Sequence, residues 1–267
     1  MLSLGHNSGG LHLSNAEVGR IRTRTILNLG SLQTDYVVMD GLSVGARPTD
    51  VHVTATQDIR FVNNPVTFAT RVGFHADRDV TVATNLTVTG RGQTVILSAD
   101  SACAGAGSLR VTKQGSVRVV DSVLTEQAHD LDIMGPVHSG EVATHIVGCS
   151  GVNIAVGGNG QAVTGQMRVS REELQQFYSR NLTLSAVTAS IFVYDTFVSD
   201  TNLVRDRITL LARDNIVFGG GSSAFKSLRA VANAVNISSD LKVTEGHLVL
   251  EAHRYHVFAG VAIQSES

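Results

Sequence analysis

Apolar and polar residues alternate along this chain in short runs, and the runs come back at a fixed interval. Leu228-Arg-Ala230-Val-Ala232 returns 20 residues later as Leu248-Val-Leu250-Glu-Ala252, and 20 residues earlier stands Ile208-Thr-Leu210-Leu-Ala212. Val235/Ile237 recur as Tyr255/Val257, and Leu241/Val243 as Val261/Ile263. Alternation sends one set of side chains to one face of an extended strand. Three such strands per period, repeating every twenty or so residues, predict a solenoid.

The first half of the chain repeats in the same manner. Val51-His-Val53-Thr-Ala55 is followed by Val72-Gly-Phe74-His-Ala76, Val95-Ile-Leu97-Ser-Ala99 and Val117-Arg-Val119, at intervals of 21, 23 and 22 residues. Ile59/Phe61 match Val80/Val82. Val66/Phe68 match Leu86/Val88, and the reading continues that series with Leu109/Val111 and Leu131/Ile133. A single coil of three strands cannot bury its apolar face, whereas a second coil stacked about 4.8 Å above covers it and closes the backbone ladder. Ala55, Ala76, Ala99, Ala186, Ala212, Ala232 and Ala252 fall in phase, as small residues suited to a tight corner. An antiparallel sandwich explains short strands but not this interval. The expected fold is all-β, a parallel β-helix.

Two short helical headings interrupt the strands. In Leu13-Ser14-Asn-Ala-Glu17-Val18-Gly-Arg-Ile21, Ser14 and Glu17 have capping-box spacing. The pattern returns 156 residues later in Val169-Ser170-Arg-Glu-Glu173-Leu174-Gln-Gln-Phe177. Helices are therefore expected at about 14–22 and 170–178, each opening a module: residues 1–160 and residues 161–267. The first ten residues read as a flexible lead-in. Gly157-Gly-Asn-Gly160 reads as a loop at the boundary.

Composition narrows the functional classes. Charged residues are 16% of the 267, and the net charge is −2, which gives no electrostatic reason to expect nucleic acid as a partner. Trp is absent and aromatics total 5%, too few for an extensive base-stacking or sugar-stacking platform. No apolar run reaches the length of a membrane-spanning helix, about 20 residues. The N-terminus shows neither a basic segment nor the long apolar core of a secretory signal. Cys103 and Cys149 cannot form a disulfide framework; they could make one bond, but free buried thiols are expected.

Each candidate for chemistry has a plainer explanation beside it. Asp58, Asp77 and Asp79 crowd equivalent corners, with Asp214 at a similar turn in the second module. A stacked pair could hold a cation or serve as two catalytic carboxylates, but Asp also favours corners because it bonds its own backbone. His247, His253 and His256 cluster in the last coil, yet an odd separation on a strand sends His253 and His256 to opposite faces. His52 and His75 occupy different columns and are not expected to stack. Arg20, Arg22 and Arg24 make a local basic stripe, read as solvated surface. No catalytic, cofactor-binding or metal residue is assigned.

The two headings, each followed by Leu-x-Leu strands, resemble repeats of large filamentous-haemagglutinin-like surface proteins. The resemblance covers most of the chain and rests on a degenerate repeat. It implies a right-handed parallel β-helix that is exported, extracellular or at the cell surface, and adhesive. The expected function is thus a non-enzymatic structural, adhesin-like β-solenoid segment presenting polar walls to a cell-surface glycan or protein. Self-association through the solenoid ends is also possible, with the headings available to blunt them. The alternative is a pectin-lyase-like β-helix enzyme acting on an acidic polysaccharide through Asp58, Asp77 and Asp79. Its hallmarks, Asn-Thr-Asp, Asp-Asp and Gly-His-Gly, are missing.

Overall fold

The computed structural model describes residues 1–6, 10–90, 92–105, 107–158 and 166–265. Its strands stack coil over coil in parallel ladders, which makes the chain a parallel β-solenoid. The chain divides into two compact units, Met1–Ala128 with Asp132–Val142 and His129–Leu131 with Ala143–Ser267. The expected module boundary at residues 160 and 161 lies outside the described residues.

In the first unit each coil contributes one strand to each of three walls. The first wall stacks Leu2–Gly5, Tyr36–Asp40, Asp58–Phe61, Val80–Val82 and Ser108–Val111. Ile26–Gly30, Asp50–Ala55, Arg71–Ala76, Thr94–Ser98 and Val123–Ala128 form the second. The third holds Ser43–Val44, Val66–Phe68, Asn85–Val88, Ser116–Val119 and Val137–His138. Alternate side chains point inward, so the interior is built of columns such as Leu27–Val51–Val72–Val95–Leu124. Phe61, Phe74 and Phe68, one from each wall, meet in the middle with edge-to-face rings 5.0 and 5.4 Å apart.

The register corrects the reading of the first module after Gly90. Val95 stacks on Leu124, not Val117, so that interval is 29 residues. Leu109/Val111 belong over Val80/Val82, and Val117/Val119 over Leu86/Val88. The extra length lies in the corner between Thr94–Ser98 and Ser108–Val111, where the Asp100 carboxylate accepts the Ala104 and Gly105 amides at 2.7 and 2.9 Å. A corner can absorb an insertion because its backbone is satisfied locally, while the strands stay in phase. The flexible lead-in is also corrected: Leu2–Gly5 is a buried strand of the first wall, with Leu4 fully buried.

The second unit repeats the plan with longer strands that turn a corner without breaking. Ala143–Gly148, Phe177–Ala186 and Val204–Ala212 stack in one wall, continued by the first halves of Leu228–Ile237 and Leu248–Val257. A second wall runs through Gln166–Val169, Asn153–Gly157, Ile191–Tyr194 and Asn215–Gly219 to the far halves of the same two long strands. Ser223–Phe225, Leu241–Val243 and Ile263–Ser265 form a third. Leu228 lies over Leu248, and Ile208 over Leu228, as the 20-residue interval requires. Leu241, however, pairs with Ile263 and Val243 with Ser265, an interval of 22. The turn before the last strand, with Gly260 in the left-handed region, takes up the difference.

Both headings form, though each helix is a single turn, Asn15–Val18 and Arg171–Leu174. Both capping boxes close: Ser14 and Ser170 accept the amides of Glu17 and Glu173, whose carboxylates accept the cap amides in return. The first helical residue of each then hooks a neighbouring corner. Asn15 donates to Gly41 O and accepts from the Ser43 amide, both at 2.8 Å. Arg171 pairs with the fully buried Asp200 at 2.9 Å. The expectation of free thiols is overturned, since Cys103 and Cys149 are both disulfide-bonded. Pairing depends on proximity in space, which a count of two cysteines does not encode.

Replacing Phe74 with Ala would empty the meeting point of all three walls. It is expected to cost about 3–5 kcal/mol, read as a lowered urea midpoint. Thr87→Ala on an outer face should change stability by no more than about 0.5 kcal/mol.

Candidate functional site

Outward side chains stack as faithfully as inward ones, because the same ladder fixes both. In the first unit Ser43, Thr67, Thr87, Arg118 and His138 form one outward column of the third wall. Val38, Arg60, Thr81 and Arg110 form another on the first wall. The second unit carries His145, Thr183, Thr209, Arg229 and Val249 in line. Each column is a file of side chains about 4.8 Å apart. Such a file can meet a repetitive partner at several points at once.

The carboxylates of Asp58, Asp77 and Asp79 are each engaged in holding the coil. Asp58 is buried and ion-paired with Arg60 at 2.5 Å, and Arg60 in turn lies over the Tyr36 ring. Asp79 stands one coil away, its backbone carbonyl accepting the Ile59 amide and its carboxylate accepting the Ser108 amide at 2.8 Å. The Asp77 carboxylate accepts the Ser101 hydroxyl at 2.6 Å. Asp214 is exposed and takes part through its backbone, accepting from Ala234. The corner at Asn63-Asn64-Pro65 is tied to buried Asp40, which accepts Asn63 Nδ2 at 2.9 Å and Asn64 Nδ2 at 2.7 Å. Burial works to raise the Asp40 carboxyl, but these bonds outweigh it and hold it below the usual range.

Of the two histidine groups, the one in the last coil is solvent-facing as expected and the other is not as expected. His247, His253 and His256 are all exposed on the last coil. His52 and His75, expected not to stack, do so, with ring centroids 6.2 Å apart and planes 17° from parallel. Their columns do differ: His52 pairs with Gly73 and His75 with Thr54. Gly73 is the reason the rings still meet. With no Cβ there, the ring of His75 lies across the vacant position, where an added Cβ would sit 2.9 Å from Nε2. Burial, and then the neighbouring His52, hold His75 below the ordinary histidine value. Among the described residues no group of three or more His, Cys, Asp or Glu is arranged to hold a metal ion.

Arg22 and Arg24 of the basic stripe, with Arg47, rim a cavity of about 390 Å³ whose floor is Val18, Leu27 and Val44. Arg47 was not part of the sequence pattern; the corner beside the heading brings it in. All three arginines are exposed.

The residue that sequence reading missed is Glu126. It stands in the inward column Leu29–Val53–Phe74–Leu97–Glu126 and is fully buried, with no hydrogen bond to either carboxylate oxygen. Burial raises its carboxyl to about 8, so it is neutral in the fold at pH 7. The signal was present: Leu124-x-Glu126-x-Ala128 has the phase of Val95-x-Leu97-x-Ala99, hidden by the 29-residue interval.

No helix among the described residues is long and apolar enough to cross a membrane. No protein-family model, curated protein or solved structure matches the chain.

Glu126 makes stability depend on pH in a definite direction. Its folded-state value of about 8 lies above the ordinary 4.5, so the fold binds the proton more tightly than the unfolded chain does. The stabilisation is complete below about 4.5 and declines as pH rises to about 8, by up to about tenfold in the folding equilibrium per pH unit. Glu126→Leu, matching Leu97 beneath it, is expected to raise the urea midpoint at pH 8 and to flatten this slope. An unchanged slope in the variant would show that other groups set it.

Proposed function

We propose that this chain is a non-enzymatic, adhesin-like β-solenoid segment of the filamentous-haemagglutinin-like kind, acting outside the cell or on its surface. The observation that carries the reading is the outward columns, in which Thr, Arg, His and Ser repeat in register along the walls. A partner with its own repeat, a cell-surface glycan or a protein displayed in many copies, meets such a wall at several weak points. Linked weak contacts then give useful avidity without a deep pocket. The disulfide-bonded cysteines are in keeping with an oxidising compartment. Asp58, Asp77 and Asp79 are already committed to Arg60, Ser101 and Ser108, which favours a structural over a catalytic role.

Retention of the purified chain on intact cell surfaces tests the reading. Replacing Thr67, Thr87 and Arg118 together with Ala is expected to reduce retention at least several-fold while leaving the far-ultraviolet circular dichroism unchanged. Polygalacturonate incubated with the native chain should remain uncleaved. Turnover of that polymer, or no retention on any surface offered, would defeat the proposal.

A further inference from the structure

Between the first heading helix, Asn15–Val18, and the strand Ile26–Gly30 the chain crosses a corner in the run Gly19-Arg-Ile-Arg-Thr-Arg-Thr25. This run forms no strand, yet it is tied down at both ends. The Gly19, Arg20 and Ile21 amides donate to Asn15 O, Glu17 O and Val18 O at 2.9, 3.0 and 3.1 Å. At the far end the Asp50 amide and the Thr49 hydroxyl both donate to Thr25 O at 2.9 Å, and the Thr23 hydroxyl donates to Ile26 O at 3.1 Å.

The cavity of about 390 Å³ lies between this run and the corner at residues 44–48, both in the first unit. Its floor, Val18, Leu27 and Val44, is apolar and 4–7% exposed. The second heading shows why the space is there. Ile21 lines the cavity and is 37% exposed, whereas Phe177, its counterpart at the 156-residue offset, is larger and fully buried. A volume near the low end of the roughly 300–1,000 Å³ found for ligand cavities suits a small molecule rather than a length of polymer.

The charge around the cavity is of one sign. Arg22, Arg24 and Arg47 are exposed at its rim, and among the described residues none of them has a carboxylate partner. The acids close by in sequence are engaged elsewhere. Glu17 accepts the Ser14 amide and hydroxyl at 2.8 and 2.7 Å, and Asp50 pairs with Arg71 at 3.4 Å. Arg22 Nη1 donates to Gly19 O at 3.3 Å, which folds its head back along the run. Three like charges on one rim repel, and an anion set among them relieves that repulsion. The guanidinium fork matches the oxygens of a carboxylate or a phosphate.

We propose that this cavity binds a small amphiphilic anion, a carboxylate or phosphate monoester on a hydrocarbon body. The head group sits among Arg22, Arg24 and Arg47, and the hydrocarbon rests on Val18, Leu27 and Val44. A neutral apolar molecule would leave the arginines uncompensated, and a bare inorganic anion would leave the floor wet. Because the run is pinned at both ends, the arginines are held near the cavity before the ligand arrives, which lowers the ordering cost of binding. The site is separate from the outward columns of Thr67, Thr87 and Arg118. It stands whether or not those walls hold a cell surface.

Isothermal titration calorimetry of the purified chain tests this, with decanoate and decyl phosphate as probes below their micelle concentrations. At least one should bind one-to-one and more weakly as salt rises; the tighter of the two identifies the head group. Decanol, which keeps the hydrocarbon, and inorganic phosphate, which keeps the charge, should each bind at least about tenfold more weakly. Arg22→Gln combined with Arg47→Gln should weaken the bound probe about tenfold with unchanged circular dichroism, since both side chains are exposed. Arg207→Gln with Arg213→Gln removes as much exposed charge outside the cavity and should leave the affinity as it is. Failure of both probes to bind overturns the proposal. So does equal binding of decanol or inorganic phosphate, or an equal loss in the two arginine pairs, which would mean attraction to general surface charge.

Discussion

The phase of the inward columns is the constraint on which the rest of this structure depends. Each coil is too small to bury its own apolar face, so every inward side chain must lie over another from the next coil. The backbone ladder enforces this at each step. Once Leu228 stands over Leu248, Ala230 must stand over Leu250, and the outward residues between them are fixed too. The interior and the presented surface follow from one register.

That coupling explains where irregularities are tolerated. The corner around Asp100 carries a long insertion, and the turn before Ile263–Ser265 a short one, without disturbing a ladder. Both are closed by their own hydrogen bonds or by glycine in the left-handed region. An error of composition inside a column has no comparable escape. Glu126 occupies a position where the four residues stacked beneath it are apolar, and it remains neutral because no partner reaches it.

Much of this was legible in the repeat. The 20-residue interval of the last coils, both capping boxes and the stacking of Val51 on Val72 on Val95 all follow from alternation and spacing. The reading failed where spacing ceased to be regular. After Gly90 the 22-residue spacing points Val117 to the column that Leu124 occupies, and the 29-residue step that places Glu126 over Leu97 goes unseen. His52 and His75 were placed correctly by column, yet their rings meet because Gly73 leaves a gap that register alone does not reveal. The partners of Asp77 and Asp79 are likewise contacts between coils, whereas Asp58 pairs with Arg60 two residues along its own strand.

By itself the sequence determined the class of fold, the number of walls and the two headings, because periodicity and helix capping are local properties written residue by residue. Only the tertiary structure decided the column assignments beyond the long corner, the oxidised state of Cys103 and Cys149, the isolation of Glu126 and the unequal burial of the two headings. Those outcomes depend on which residues are neighbours across a coil, and corners of variable length break the link between distance along the chain and distance in space.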